Sequence, residues 1–375
     1  TGGDNIAIGR EALDANTTAS YNVAVGSSAL GANTTGTRNT AVGTDIMVAN
    51  TTGDYNVAMG MNALYANTTA DNNTAIGYNS LAANTTGAAN VAVGNYALDA
   101  TTTVSDLTAV GYSTLSANTS GIGNAAFGSS ALTANTTGSY NTGIGRIALD
   151  ASTTGDSNTA VGYTCLGANT TGQYNTAVGS AALGSNTTAD NNTAVGRNAL
   201  FANTTGARNT SVGIQALGNN TTASSNTALG GLALQANTTG SVNTAVGDAT
   251  LYTNTTGSNN VACGQGALYA NTTANNNTGI GYSALTANTT GTFNVAVGAF
   301  ALDDNTTAQQ NTGVGYNALS ANSTGASCTA LGSLALDANT TANYNTAVGA
   351  GALGAITTGA ESVAVGSSAL VSATG

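Results

Sequence analysis

Asn175-Thr176-Ala177-Val178-Gly179-Ser180-Ala181-Ala182-Leu183-Gly184-Ser185-Asn186-Thr187-Thr188-Ala189-Asp190-Asn191 is one period of a pattern that fills the whole chain. Glycine stands at Gly9, Gly26, Gly43, Gly60 and onward to Gly366, every 17 residues in 22 of 22 periods, without an insertion. Self-similarity at so short a fixed period means stacked identical units, each of which buries its apolar side against its neighbours. The residue before the glycine is always apolar (Ile8, Val25, Val42, Met59, Phe127, Cys263), and the fourth residue after it is Leu in 21 periods and Met47 in the other. These two columns are the expected core.

Seventeen residues are too few for a strand, a helix and two connections, since helix-bearing leucine-rich repeats need about 20 or more. The period therefore predicts an all-β parallel solenoid of 22 turns, a single repeat domain over residues 1–375. Thr-Ala-Val followed by Gly reads as a short strand ending at a sharp corner, because glycine accepts positive φ without a steric penalty. Asn-Thr-Thr-Gly or Asn-Thr-Thr-Ala supplies the second corner. At a strand spacing of about 4.8 Å, 22 turns would make a rod of roughly 105 Å. Asn precedes the strand in 19 turns, the exceptions being Leu107, Cys328 and Ser362, so stacking predicts a hydrogen-bonded column of side-chain amides. Both strand faces read as buried, with Val or Ile toward the core and the small column (Ala177, Gly143, Ser211) on the other side, where its size suits close approach by another chain. Two large apolar residues per turn are few for ordering 17, so lateral association into an oligomer is expected.

Composition narrows the function. With 5 Arg, no Lys and a net charge of −11, nucleic-acid binding is not expected. No run of 18 apolar residues exists, so this segment is not expected to be embedded in a membrane. Thr1 already lies inside the repeat, as expected if the array belongs to a longer chain; Ile356, Ser362 and Val371-Ser372-Ala373-Thr374-Gly375 show the repeat decaying. There is no His, and Asp303-Asp304 is the single adjacent carboxylate pair, so acid–base machinery has almost no candidates: no enzyme and no cofactor are expected. Asp14, Asp99, Asp150, Asp303 and Asp337 share a column that is Tyr, Gly, Ser or Thr in most other turns, which does not suit a calcium repeat. Cys165, Cys263 and Cys328 fall in different columns and distant turns, so they read as packing substitutions or contacts between chains, not as a disulfide.

Three polar or aromatic features remain. The corner Asn is present in 18 of 22 turns and always in an Asn-x-Ser/Thr sequon; Thr101, Ser152, Ile356 and Ala373 break the series. It reads either as a stacked turn-capping ladder or as a glycan acceptor, although acceptors every ~4.8 Å would crowd. Threonines at ladder spacing also suggest an ice-binding solenoid, weakened because Thr187 and Thr188 are adjacent and should face opposite ways. Aromatic residues cluster around the corners: Tyr78, Tyr112, Tyr163, Tyr282 and Tyr316 after the glycine, and Tyr65, Phe201, Tyr252 and Tyr269 after the leucine. They read as drifting solvent-facing positions or as contacts for sugars or a partner.

The string Asn-x-Ala-(Val/Ile)-Gly with a small residue three positions on, as in Asn22-Val23-Ala24-Val25-Gly26 followed by Ala29, resembles the head repeats of trimeric autotransporter adhesins and the similar repeats of phage tail fibres. The resemblance implies a left-handed parallel β-roll, a parallel homotrimer, and adhesion outside the cell or on a virion, with a cell-surface receptor or glycan as partner. The chain departs from the commonest adhesin repeat in its longer Asn-Thr-Thr-Gly corner and in having no heptad stalk or membrane anchor. On the sequence, the alternative is a self-assembling structural surface filament without a receptor.

Overall fold

Three-residue strands recur once per period because only Thr-Ala-Val and its variants combine β-branched residues with a following glycine that turns the chain. The computed structural model describes residues 2–372 and, among them, contains 22 such strands and no helix. Thr1 and Ala373-Thr374-Gly375, including one of the departures from the corner Asn, lie outside the described residues.

The chain divides into two compact units, Thr1–Ala189 and Asp190–Gly375. The first holds β1 (Ile6–Ile8), β2 (Val23–Val25) and their successors to β11 (Thr176–Val178). Each strand pairs in parallel with the next, one period on, from Ile6↔Val23, Ala7↔Ala24 and Ile8↔Val25 to Thr159↔Thr176. The second unit runs from β12 (Thr193–Val195) to β22 (Val363–Val365) with the same register, from Thr193↔Thr210 to Thr346↔Val363. Each unit is thus a parallel β-solenoid with a 17-residue turn, as the spacing predicts.

Two residues of each turn anchor the ladder: Val23 N donates to Asn39 O at 2.9 Å in the following turn, and Gly26 N donates to Ile8 O at 2.7 Å in the preceding one. The glycine is required there. Gly94 sits at φ +134, and a Cβ built on it would lie 2.3 Å from Gly111 O. After the glycine the chain runs through successive hydrogen-bonded turns, with Ala29 N on Gly26 O, Gly31 N on Ser28 O and Asn33 N on Leu30 O. These turns place the residue two after the glycine and the core leucine in the left-handed region, as at Ser28 (φ 57) and Leu30 (φ 50). A left-handed residue costs about 1–2 kcal/mol, and burying a leucine returns about 1.5–3 kcal/mol.

The core reverses one expectation. Leucine is buried as expected, but the apolar residue before the glycine faces outward: Met59 is 50% exposed and Phe127 42%. The strand's middle residue points inward instead, and Ala24, Ala41 and Ala177 are fully buried with Ala29 and Leu30. Alternation along a three-residue strand sends only its middle side chain inside. The interior there has room for nothing larger than Ser211, since even a Cβ on Gly143 would lie 3.3 Å from Leu132 Cγ. The small column therefore serves the inside of its own chain, not close approach by another.

Candidate functional site

Two columns of asparagine line the interior of each unit, and nearly all of them are fully buried. The Asn before the strand holds adjacent turns together: Asn39 Nδ2 donates to Gly53 O at 2.7 Å, and its Oδ1 accepts from Asn56 N at 2.9 Å. This is the predicted amide column. The corner Asn forms a second ladder, in which Asn50 Nδ2 donates to Asn33 Oδ1 at 2.8 Å and Asn67 Nδ2 to Asn50 Oδ1 at 2.8 Å, each also reaching the carbonyl three residues on. Of the two readings of the sequon, the geometry favours the ladder: a fully buried Nδ2 with two acceptors has no room for a glycan.

Where the corner Asn is replaced, the ladder breaks. Thr101 follows Asn84 and Ser152 follows Asn135, and neither brings an amide donor. The Oδ1 atoms of Asn84 and Asn135 are accordingly buried without a hydrogen-bond partner; Asn16 Oδ1, in the first turn, also lacks one, because Asn33 Nδ2 donates to Gly36 O instead.

The two corner threonines do divide, as adjacency requires. Thr34 and Thr170 turn their hydroxyls onto the carbonyls of Thr51 and Thr187 in the next turn, at 3.0 Å each. Thr35, Thr52 and Thr171 face solvent. One hydroxyl column per corner reaches water.

Most of the aromatic candidates are exposed, Tyr78 and Tyr252 are half-buried, and several meet. In the first unit Tyr78, Tyr96 and Tyr112 stand edge to face, with centroids 5.3 and 6.1 Å apart. In the second unit Tyr282, Phe300 and Tyr316 repeat that arrangement in the same columns, at 5.2 and 6.3 Å, and Tyr252 stacks on Tyr269 at 5.1 Å. Tyr96 and Phe300 lie one column further on and were not singled out by the sequence; their offset of 18 residues from Tyr78 and Tyr282 marks them as diagonal neighbours in adjacent turns. Arg38 lies over the rings of both Tyr21 and Tyr55. Tyr163 pairs with Arg146 at 5.7 Å, and Tyr65 and Phe201 face solvent.

The remaining candidates offer little chemistry. Asp303 Oδ1 is buried without a hydrogen-bond partner, and burial, reinforced by the Asp304 charge, pushes the carboxyl up to about 6. Burial also raises Asp99, Asp150 and Asp337 in the same column. Among the described residues no group of three or more Cys, Asp or Glu could hold a metal ion, and no helix is long and apolar enough to cross a membrane. All three cysteines are free. Cys165 and Cys328 are buried, their Sγ atoms each 3.2 Å from a carbonyl oxygen, and burial pushes the Cys165 thiol up to about 12. Cys263 is exposed on the strand face.

Compared with protein-family models and with curated protein sequences, the chain matches no family and no relative.

Proposed function

We propose that the chain is a structural and adhesive segment of an attachment fibre, outside the cell or on a virion, and not an enzyme. The observation that carries this reading is the repetition of one backbone and one set of outward columns in every turn of each unit. Such a surface offers many weak copies of one contact, which add through avidity rather than through a single deep pocket. The resemblance to adhesin heads and tail fibres supplies the finer features: a left-handed roll, three parallel chains, and a cell-surface receptor or glycan. The aromatic clusters at Tyr78-Tyr96-Tyr112 and Tyr282-Phe300-Tyr316 are where sugar rings would stack.

The test is binding of the labelled protein to a glycan array and to intact bacterial and eukaryotic cells. Retention that falls at least tenfold in Tyr78→Ala/Tyr112→Ala/Tyr282→Ala/Tyr316→Ala supports the reading. No retention on any surface leaves the self-assembling filament without a receptor.

A second reading, ice binding, draws on the strand face, where 14 of the 22 first strand positions are threonine and all point outward in register. Against it stands the varied size of the adjacent column, from Cys263 to Phe127. Thermal hysteresis of the purified protein separates the two.

A further inference from the structure

Among the described residues the corner Asn gives way at Thr101, Ser152 and Ile356, and each replacement removes a carboxamide from the interior. What takes its place differs. Ile356, 1% exposed, fills the position with its own apolar side chain, and Asn345 Nδ2 turns to Asn339 Oδ1 at 3.4 Å. At Thr101 the residue three positions on is Val104, where every other turn has Gly or Ala. A Cβ built in that column on Gly138 or Gly172 runs into the corner Oδ1 of its own turn, so the buried Val104 side chain occupies the ground of the missing amide. Thr101 turns its hydroxyl onto Asn118 O at 3.0 Å, and Asn84 Oδ1 is left without a partner.

Ser152 has neither remedy. The residue three on is Gly155, and no atom of Ser152 is among the three nearest to a Cβ built there. The polar groups around the position are left over instead. Asn135 Oδ1 and Ser152 Oγ, both on fully buried residues, have no partner within the protein. Asn169 Nδ2 donates to Gly172 O at 3.0 Å and keeps its second hydrogen, which in an unbroken stretch goes to the Asn one turn before, as from Asn50 to Asn33. Gly155 O, the carbonyl that a corner Asn would reach, accepts from Asn141 Nδ2 at 2.7 Å and retains a lone pair.

We propose that one buried water molecule binds here and completes the ladder. It donates to Asn135 Oδ1 and to Gly155 O or Ser152 Oγ, and it accepts from Asn169 Nδ2. The chemistry of the groups selects it: the oxygens need a donor and the amide hydrogen needs an acceptor, and water is both. A cation would be opposed by the amide N–H, and an anion by the oxygens. Size agrees, because serine is smaller than asparagine by roughly the ~30 Å³ that a water takes in the liquid. Ser152 Oγ and the water then stand where the nitrogen and oxygen of a carboxamide would. Holding the water costs entropy, so an Asn at this position still gains by releasing it. The inference does not rest on the adhesive role.

The experiment pairs a high-resolution crystal structure of the full chain with magnetic relaxation dispersion of the solvent, which counts waters that leave the interior slowly. The crystal is expected to show a solvent peak within hydrogen-bonding distance of Asn135 Oδ1, Ser152 Oγ and Asn169 Nδ2. In solution Ser152→Asn is expected to lose the signal of one long-lived water. Thr101→Asn is expected to lose none, because Val104 already closes that position. Ser152→Asn restores the residue of the repeat, so its folding is secure. Equal dispersion amplitudes in wild type and Ser152→Asn, or a crystal without the peak, overturns the inference. A urea midpoint that rises with sodium or potassium in wild type and not in Ser152→Asn would make the ligand a cation and overturn it too.

Discussion

At the residue scale, the interior amide is the group on which most depends. Along the unbroken stretches of the ladder a corner Asn donates a hydrogen bond to the Asn one turn before and accepts one from the Asn one turn after, as Asn50 does with Asn33 and Asn67, so an absent amide is felt by its neighbour. The unpartnered Oδ1 atoms of Asn84 and Asn135 lie where Thr101 and Ser152 fail to donate. A buried acceptor without a partner costs about 1–3 kcal/mol. Thr101→Asn and Ser152→Asn are therefore expected to stabilise the first unit by about 1 kcal/mol each, read as a higher urea midpoint by circular dichroism; an unchanged or lower midpoint would count against a continuous ladder. The same burial predicts that protein secreted from a glycosylating host carries no sugar at Asn67, Asn203 or Asn288, as intact-mass measurement would show. Asp303 gives a pH signature. Its carboxyl is raised from 3.8 to about 6 in the fold, so the protonated form is favoured there. Its contribution to stability is fully present below pH ~4 and is lost as pH rises through about 6. Asp303→Asn should flatten that part of the profile and raise stability at pH 8 by about 1 kcal/mol, a figure discounted because the group remains partly solvated.

At the scale of one turn, the glycine corner and the leucine were legible in the sequence because each answers to one physical demand. Glycine supplies a backbone angle closed to other residues, and the leucine is the large apolar side chain that nearly every turn sends into the interior. Gly94→Ala should accordingly cost at least about 3 kcal/mol, combining a strained φ with a backbone clash; hydrogen exchange should show opening in the two adjoining turns first. The direction of the strand was not legible from hydrophobicity. In Thr-Ala-Val both faces contain apolar groups, and a three-residue strand is too short for alternation to choose between them. Side-chain volume does contain the answer. The middle position never exceeds Ser211 in size, while the third position ranges from Cys263 to Phe127. A closed interior of fixed width tolerates no such range, whereas an outer face does. The left-handed backbone at Leu30 and its equivalents left no trace either, because leucine has no preference for that region.

At the scale of the molecule, a period of 17 residues and parallel register follow from repetition alone, and each unit shows both. The candidate contact columns were only half legible: the aromatic positions could be found, but their grouping into diagonal clusters needed the stacking of one turn on the next. Within a unit, every turn's strand pairs only with the turns beside it, and nearly every turn offers its neighbour the same carbonyls, amides and leucine. A gene encoding such a unit can therefore gain or lose whole 17-residue segments by slippage between its repeats without creating a new kind of contact. The number of turns becomes a quantity that recombination can adjust in steps of about 4.8 Å, leaving sequence within a turn and length along the stack free to vary independently.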